Sequence, residues 1–318
     1  MIRRPPRSTL SSSSAASDVY KRQSLGKVPR RVKGGLRKNG IMYGDTSAVL
    51  SKGFLPFEAL PKLLNPSHGY LFNTNNSPYN CAHPSENIDP DDFELHQIDY
   101  MEDFNNRSAR FEKLIGEKDK WGMDDFYRIK YDIQYPDELW TPSGASIVFD
   151  IESSEHPNYK ELIGLIQNWN RRADTLSVGA AQWAIYYSNY LDLKNKESDQ
   201  QVLLSKVLKK TQKHLRKHFG RLDIELRSYQ RHSRVGKELA VPGLTDMIAA
   251  MTSSPYKKGT AKPVHGESYI MIIQYDDNGV EIETVLPYGN SRNIESPVSY
   301  THLRAHETRE DRVCRLVR

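Results

Sequence analysis

The sequence predicts a mixed α and β protein whose helices are grouped in the middle of the chain. Three observations indicate this class. A strand-forming run ends in the asparagine-rich stretch GYLFNTNNSP at residues 69–78, helical periodicity recurs between residues 106 and 219, and two apolar runs flank Asn278-Gly279 near the end. We therefore expect α and β elements with a helical region between the strands.

Strands are expected at Gly69–Asn76 and within Glu267–Leu286. Asn-Gly between two apolar runs is a strong hairpin signal, so Glu267–Tyr275 and Val280–Leu286 are predicted to pair. At Phe54–Leu64, two prolines bracket an apolar segment, which predicts a short turn of helix.

Five segments carry apolar residues at helical spacing, with polar residues on the other face. The predicted helices are Asn106–Glu117, Met123–Tyr131, Tyr159–Ala173, Val178–Leu193 and Asp199–Phe219. Asp124 and Asp125 suit the N-terminus of the second helix, because its dipole favours acids there.

The two ends of the chain differ from the rest. Ile2–Gln23 is rich in Ser, Arg and Pro and lacks the apolar run of about 7–15 residues that a secretion signal needs. It resembles translated sequencing-adapter sequence, and so does Val298–Arg318. We expect residues 1–23 and 298–318 to be adapter-derived, with 24–297 as the natural chain; a pair of disordered basic tails is the alternative.

This division changes the charge argument. The whole chain has 45 Lys+Arg against 40 Asp+Glu, a net charge of +5. The two end segments hold ten of those cations and four of the anions, so 35 cations and 36 anions remain. The net positive charge is therefore not a property of residues 24–297 and does not support a nucleic-acid partner. The sequence contains no run of 18 apolar residues, so no membrane span is predicted. Outside the two end segments, Cys81 is the only cysteine in the sequence.

The asparagines after Tyr70 are candidate functional residues. In an extended chain, Asn73 and Asn75 would point to one face. A carboxamide N–H fixed at a strand end can stabilise the negative oxygen that develops when an amide carbonyl is attacked. The alternative is structural, since Asn before Ser-Pro commonly caps a turn.

An ordered set of segments resembles the penicillin acylase family of N-terminal-nucleophile hydrolases. The set comprises LPFEALPKLLNPSHGYLFNTNNSP, NNRSARFEKLIGEKDKWGMDDFYRIKYD, QRHSRVGKELAVPGLTDMIAAM, GESYIMIIQY and YGNSRNIESP. The resemblance covers nearly all of residues 24–297 and implies part of the second, or β, chain. It also implies an incomplete layered αββα core, with strands in stacked sheets and helices outside.

The resemblance implies amide hydrolysis by an N-terminal serine whose own α-amino group is the base. The second asparagine of the family's N-x-N motif falls on Asn75 and would donate to the oxyanion. The arginine that leads the next helix falls on Arg107, which would organise the charge around the serine's amine and favour its neutral form. The serine itself and the acyl-pocket residues are absent, so we expect this fragment to be inactive alone.

Further expectations follow from the same resemblance. The substrate would be penicillin, an acyl-homoserine lactone or a similar small N-acyl amide. The partners would be the missing α-chain and the N-terminal part of the β-chain, and the parent would be periplasmic or secreted. No cofactor is required for the chemistry. Relatives bind a structural calcium, and Glu86 falls near one ligand position, although the other ligands lie largely upstream.

Three other features have simpler interpretations. His214 and His218 are spaced as zinc ligands on a helix but lack the HExxH pattern, so two solvated histidines are favoured. The basic run Lys206–Lys217 is interpreted as a solvated helix face rather than a site for nucleic acid or anionic lipid. Cys81 lacks an evident His-Asp relay and is interpreted as an idle thiol.

The rival function is a non-enzymatic binding module that holds a ligand at the asparagine-rich strand end. A basic, two-tailed nucleic-acid protein is a lesser rival.

Overall fold

The structure is a computed structural model that describes residues 28–29, 37–38, 41–42, 53–92, 105–141, 144–234, 237–267, 269–277, 279–285 and 314–316. Two compact units make up the chain, Met1–Ser108 and Ala109–Arg318. The predicted adapter-derived residues 1–23 lie outside the described part, and of residues 298–318 only Cys314–Leu316 is described.

The first unit is built from short elements. Strand β1 (Val28–Pro29) pairs antiparallel with β4 (Phe54–Leu55), and β2 (Arg37–Lys38) pairs with β3 (Ile41–Met42). Single turns of 3₁₀ helix follow at Phe57–Ala59, Pro84–Glu86 and Pro90–Asp92. The proline-bracketed turn predicted within Phe54–Leu64 is the first of these.

The strand predicted at Gly69–Asn76 is wrong. Residues 70–73 belong to no strand, and residues 74–76 bend with Asn75 in the left-handed region at φ 62°. Phe72 N–H donates to Cys81 O at 2.8 Å, which ties the segment to its own loop. Asparagine side chains hydrogen-bond nearby backbone groups readily, so this sequence forms a turn instead of a sheet ladder.

Six helices are described. They are α1 (Asn106–Ile115), α2 (Met123–Lys130), α3 (Lys160–Gln167), α4 (Ala180–Leu193), α5 (Gln200–Phe219) and α6 (Leu226–Tyr229). The five predicted helices are confirmed, although α3 ends six residues before Ala173. The chain turns there because Arg171 adopts φ 61° and Ala173 N–H bonds to Ile133 O at 2.9 Å.

The core of the second unit lies between α3, α4 and α5. Trp183, Tyr186 and Tyr190 on α4 are buried against apolar side chains from the neighbouring helices. Asn189 Nδ2 donates to Thr211 Oγ1 at 3.1 Å, a buried polar link between α4 and α5. Helix α5 is capped by Asp199, whose carboxylate accepts from the N–H groups of residues 201 and 202.

Three antiparallel sheets are described in the second unit. Strands β5 (Arg231–Arg234) and β6 (Lys237–Ala240) pair, and β7 (Met251–Pro255) pairs with β8 (Ala261–Gly266). The predicted hairpin forms from β9 (Ile270–Asp276) and β10 (Gly279–Val285), which pair antiparallel. Strand β11 (Cys314–Leu316) pairs with β10.

One face of the β9–β10 hairpin is buried. Ile270, Ile272 and Val285 pack with Tyr127 and Tyr131 around the C-terminal end of α2. The predicted mixture of α and β elements, with helices grouped in the middle of the chain, is therefore confirmed. No helix in the described part is long and apolar enough to span a membrane.

Candidate functional site

The asparagine-rich turn is organised by its own side chains. Asn75 N–H donates to Asn73 Oδ1 at 2.9 Å, and Thr74 N–H donates to Asn76 Oδ1 at 2.7 Å. Asn76 Nδ2 donates in turn to the carbonyl of Asn80. Alternate side chains thus close the turn, and Asn75 is left exposed at its tip.

Asn75 and Arg107 are in contact. Arg107 is the second residue of α1, and its Nη1 donates to Asn75 Oδ1 at 2.5 Å. Because the guanidinium engages the carboxamide oxygen, the carboxamide nitrogen is the end directed away from Arg107. Asn75 Nδ2 makes no hydrogen bond to any described residue, so the side chain presents an N–H₂ donor at the surface.

Helix α1 makes further contacts with the same turn. Asn105 Nδ2 donates to Thr74 O at 3.2 Å, and Thr74 Oγ1 lies 2.8 Å from Ser108 Oγ. Sequence reasoning missed Asn105, Thr74 and Ser108. An asparagine directly before a helix is an N-cap signal, which indicates one role of Asn105 but not its contact with Thr74.

The carboxylate of Glu86 is engaged by protein groups. It accepts from Ser67 N at 2.5 Å and from His68 N at 3.2 Å, and it lies 2.6 Å from His68 Nδ1. Partial burial opposes these contacts, but the hydrogen bonds from Ser67 and His68 lower the pKa of Glu86 to about 2.

The surroundings of Glu86 do not by themselves fit calcium. A calcium ion takes about six to eight oxygen ligands, and no group of three or more His, Cys, Asp or Glu side chains comes together in the described ranges. The described residues therefore bring no such group together around Glu86, and a calcium site at this position would need further ligands.

The two helix histidines have local contacts. His214 Nε2 lies 2.8 Å from Gly259 O and donates to it, so this nitrogen is not a metal ligand here. Burial lowers the pKa of His214, although the contact with Gly259 opposes the change. The rings of His214 and His218 lie 4.8 Å apart, centroid to centroid.

The basic run on α5 faces acids. Lys206 pairs with Glu197 at 2.6 Å and Lys210 with Asp192 at 3.0 Å, as expected for a solvated helix face.

Burial raises the pKa of Cys81, which keeps its thiol protonated and disfavours a nucleophilic role.

A family model described as penicillin amidase matches residues 17–312. The chain belongs to the penicillin amidase family. The match confirms the resemblance noted in the sequence. The matched range includes residues 17–23 and 298–312, whose adapter origin stays a prediction.

Two other comparisons show how similar this chain is to known proteins. A search of curated protein sequences finds no match. Among solved structures, the chain is similar to a thermostable penicillin G acylase from Alcaligenes faecalis, with 13% sequence identity and a TM-score of 0.48. The similarity covers 92% of this chain and 61% of the acylase chain.

Proposed function

We propose that the chain is part of an amidohydrolase that cleaves the acyl amide of small N-acyl compounds. The nucleophile is the N-terminal serine of a mature chain and is not among the residues of this sequence. The observation that carries the proposal is the carboxamide of Asn75, whose oxygen accepts from Arg107 and whose nitrogen is exposed. Membership of the penicillin amidase family supplies the class of reaction.

In the proposed reaction, Asn75 stabilises the oxyanion. The serine hydroxyl attacks the acyl carbonyl while the serine's own α-amino group accepts its proton. The carbonyl oxygen becomes negative, and Asn75 Nδ2–H donates to it. Collapse of the tetrahedral intermediate returns the proton to the leaving amine and forms an acyl-enzyme, which water hydrolyses to release the acid.

Arg107 has two functions in this proposal. Its hydrogen bond to Asn75 Oδ1 holds the carboxamide so that the nitrogen, and not the oxygen, faces the substrate. Its positive charge disfavours protonation of a nearby amine, which keeps the serine's α-amino group in the basic form.

Substrate, partners and location follow the family resemblance. The proposed substrates are penicillin, acyl-homoserine lactones and similar small N-acyl amides. The proposed partners are an α-chain and the N-terminal part of the β-chain, and the proposed location of the parent is the periplasm or the cell exterior. A structural calcium, with Glu86 as one ligand, would require further oxygens from those partner segments.

The full-length reading frame tests the proposal. We expect a serine after a small residue, upstream of residue 24, and turnover of a chromogenic phenylacetyl or longer acyl amide by the processed protein. Mass spectrometry should trap an acyl group on that serine, and replacing it with alanine should abolish turnover. The 318-residue chain alone should be inactive.

Two results would contradict the proposal. Turnover by the isolated chain would show that its nucleophile lies within these residues. A complete reading frame without such a serine, in a protein that binds small amides but does not cleave them, would support the binding module instead.

A further inference from the structure

Asn105 joins the start of helix α1 to the asparagine-rich turn that carries Asn75, and its side chain has two functions. Asn105 immediately precedes α1, and its Oδ1 accepts from Ser108 N at 2.9 Å, which caps the helix. Its Nδ2 donates to Thr74 O at 3.2 Å, across 31 positions of sequence. Asn105 is buried, so this carboxamide is shielded from competing water.

A second connection runs through two hydroxyl groups. Ser108 Oγ lies 2.8 Å from Thr74 Oγ1, which lies 3.0 Å from Asn76 Oδ1. Each hydroxyl has one proton to donate. Ser108 Oγ also lies 3.1 Å from Asn105 Oδ1, so its single proton is shared between Asn105 and Thr74, while Thr74 donates to Asn76.

These contacts hold the residues on both sides of Asn75, the proposed oxyanion donor. Thr74 and Asn76, the neighbours of Asn75, are both held by this network, and Asn75 itself is held by Arg107 from the same helical turn. Asn75 is exposed and lies at a positive φ, so its own packing does little to fix it. Its orientation therefore depends on the link to α1.

We infer that Asn105 is a positioning residue, which fixes the Asn75 carboxamide by joining Thr74 to the N-terminus of α1. The inference rests on the proposed function, because the group it positions is the proposed oxyanion donor. A displacement of about 1 Å at a catalytic group can lower the rate by roughly a hundredfold, so loss of the link should be visible in catalysis.

Asn105→Asp in the complete protein separates the two functions of this residue. An aspartate Oδ1 still accepts from Ser108 N and caps α1, but it cannot donate to Thr74 O and sets a carboxylate against that carbonyl. We expect kcat to fall by roughly ten- to a hundredfold with KM nearly unchanged. The matched control is Asn189→Asp, which removes a buried Nδ2 donor of the same kind between α4 and α5 and should leave kcat unchanged.

Amide hydrogen exchange gives a second measurement that needs no activity. In Asn105→Asp, protection of the Thr74 amide should fall at least about tenfold because its turn is released, while the Ser108 amide stays protected by the cap. Asn105→Ala should release both amides.

The outcomes are distinguishable. Wild-type kcat and wild-type Thr74 protection in Asn105→Asp would overturn the inference, and so would an equal loss of kcat in Asn189→Asp. If the wild-type protein cleaves no acyl amide, the proposed function fails and no donor remains to be positioned. The exchange data then decide whether Asn105 still holds the turn.

Discussion

Arg107 Nη1 donates to Asn75 Oδ1 at 2.5 Å, joining the second residue of α1 to an asparagine 32 positions earlier in the chain. The contact distinguishes the two ends of a carboxamide that are nearly equal in shape. It engages the oxygen and leaves the nitrogen exposed, which is the orientation that an oxyanion donor requires.

Asn75→Gly tests the donor with little cost to the fold. Asn75 lies at φ 62°, a conformation that glycine adopts without strain. The complete enzyme should therefore fold, while kcat falls by about 10²–10³ because the oxyanion loses a donor. Steady-state kinetics and the thermal midpoint measure the two effects separately.

A matched control is available for this substitution. Asn65 is also exposed at a positive φ, 49°, and Asn65→Gly should leave kcat unchanged. Near wild-type turnover in Asn75→Gly would remove Asn75 from the chemistry.

Arg107→Ala should weaken catalysis and shift its pH dependence. A hydrogen bond from a charged group contributes about 1.5–3 kcal/mol, so kcat/KM should fall roughly ten- to a hundredfold. Because a nearby cation lowers the pKa of an amine, its removal should raise the pKa of the serine's α-amino group. The acidic limb of the kcat/KM profile should then move to higher pH.

Added guanidinium should partly restore the Arg107→Ala rate. Arg221→Ala is the control, since Arg221 pairs with Asp223 two residues away on the surface of the second unit. A lower rate with an unchanged pH profile would limit Arg107 to holding the carboxamide.

Most of the helical part was predictable because its signals are local. The apolar stripe, the Asp199 cap and the left-handed Gly220 at its end define α5. The β9–β10 hairpin was predictable from Asn-Gly for the same reason. Strands β7 and β8 were missed, since MTSSP and AKPVHG lack regular alternation and are strands only through their pairing.

The site was predictable to a smaller extent. Asn75 and Arg107 were identified through family resemblance, whereas the predicted strand around Asn75 is a turn. Asn105, Thr74 and Ser108 join groups that lie 31 to 34 positions apart, and no local pattern reports such a contact. Side-chain hydrogen bonds between a loop and a distant helix cap arise from the tertiary structure.

Glu86→Gln should alter the acid stability of the protein. Hydrogen bonds from Ser67 and His68 lower the folded-state pKa of Glu86 from 4.5 to about 2. A lowered carboxyl pKa stabilises the folded state above the unfolded pKa, and the contribution is lost as pH falls from about 4.5 to about 2. Wild type should therefore exceed Glu86→Gln in urea midpoint at pH 7, with the difference shrinking over that range.

The exposed Glu58, in the 3₁₀ turn at Phe57–Ala59, provides the control. Its substitution Glu58→Gln should change the urea midpoint little at any of these pH values. A wild-type advantage over Glu86→Gln that stays constant down to pH 2 would show that the carboxylate is not the source of the stability.

Two ion pairs made by α1 within the second unit should differ in their contribution to stability. Arg110 Nε and Nη2 donate to the two oxygens of Asp132 at 3.0 and 2.8 Å, and the side chains are 11% and 6% exposed. Lys113 and Asp137 also pair, but their side chains are 46% and 77% exposed. Water solvates the second pair and is largely excluded from the first.

Asp132→Asn should lower the free energy of unfolding by about 3–5 kcal/mol, because it leaves the largely desolvated Arg110 guanidinium without a counter-charge. Asp137→Asn should cost about 0–1 kcal/mol, since an exposed lysine regains water. Urea unfolding of both variants measures the difference. An equal loss of stability in the two variants would show that burial does not explain the contribution of the Arg110–Asp132 pair. If adding Arg110→Met to Asp132→Asn restores the free energy of unfolding, the unpaired positive charge is the cause of the loss.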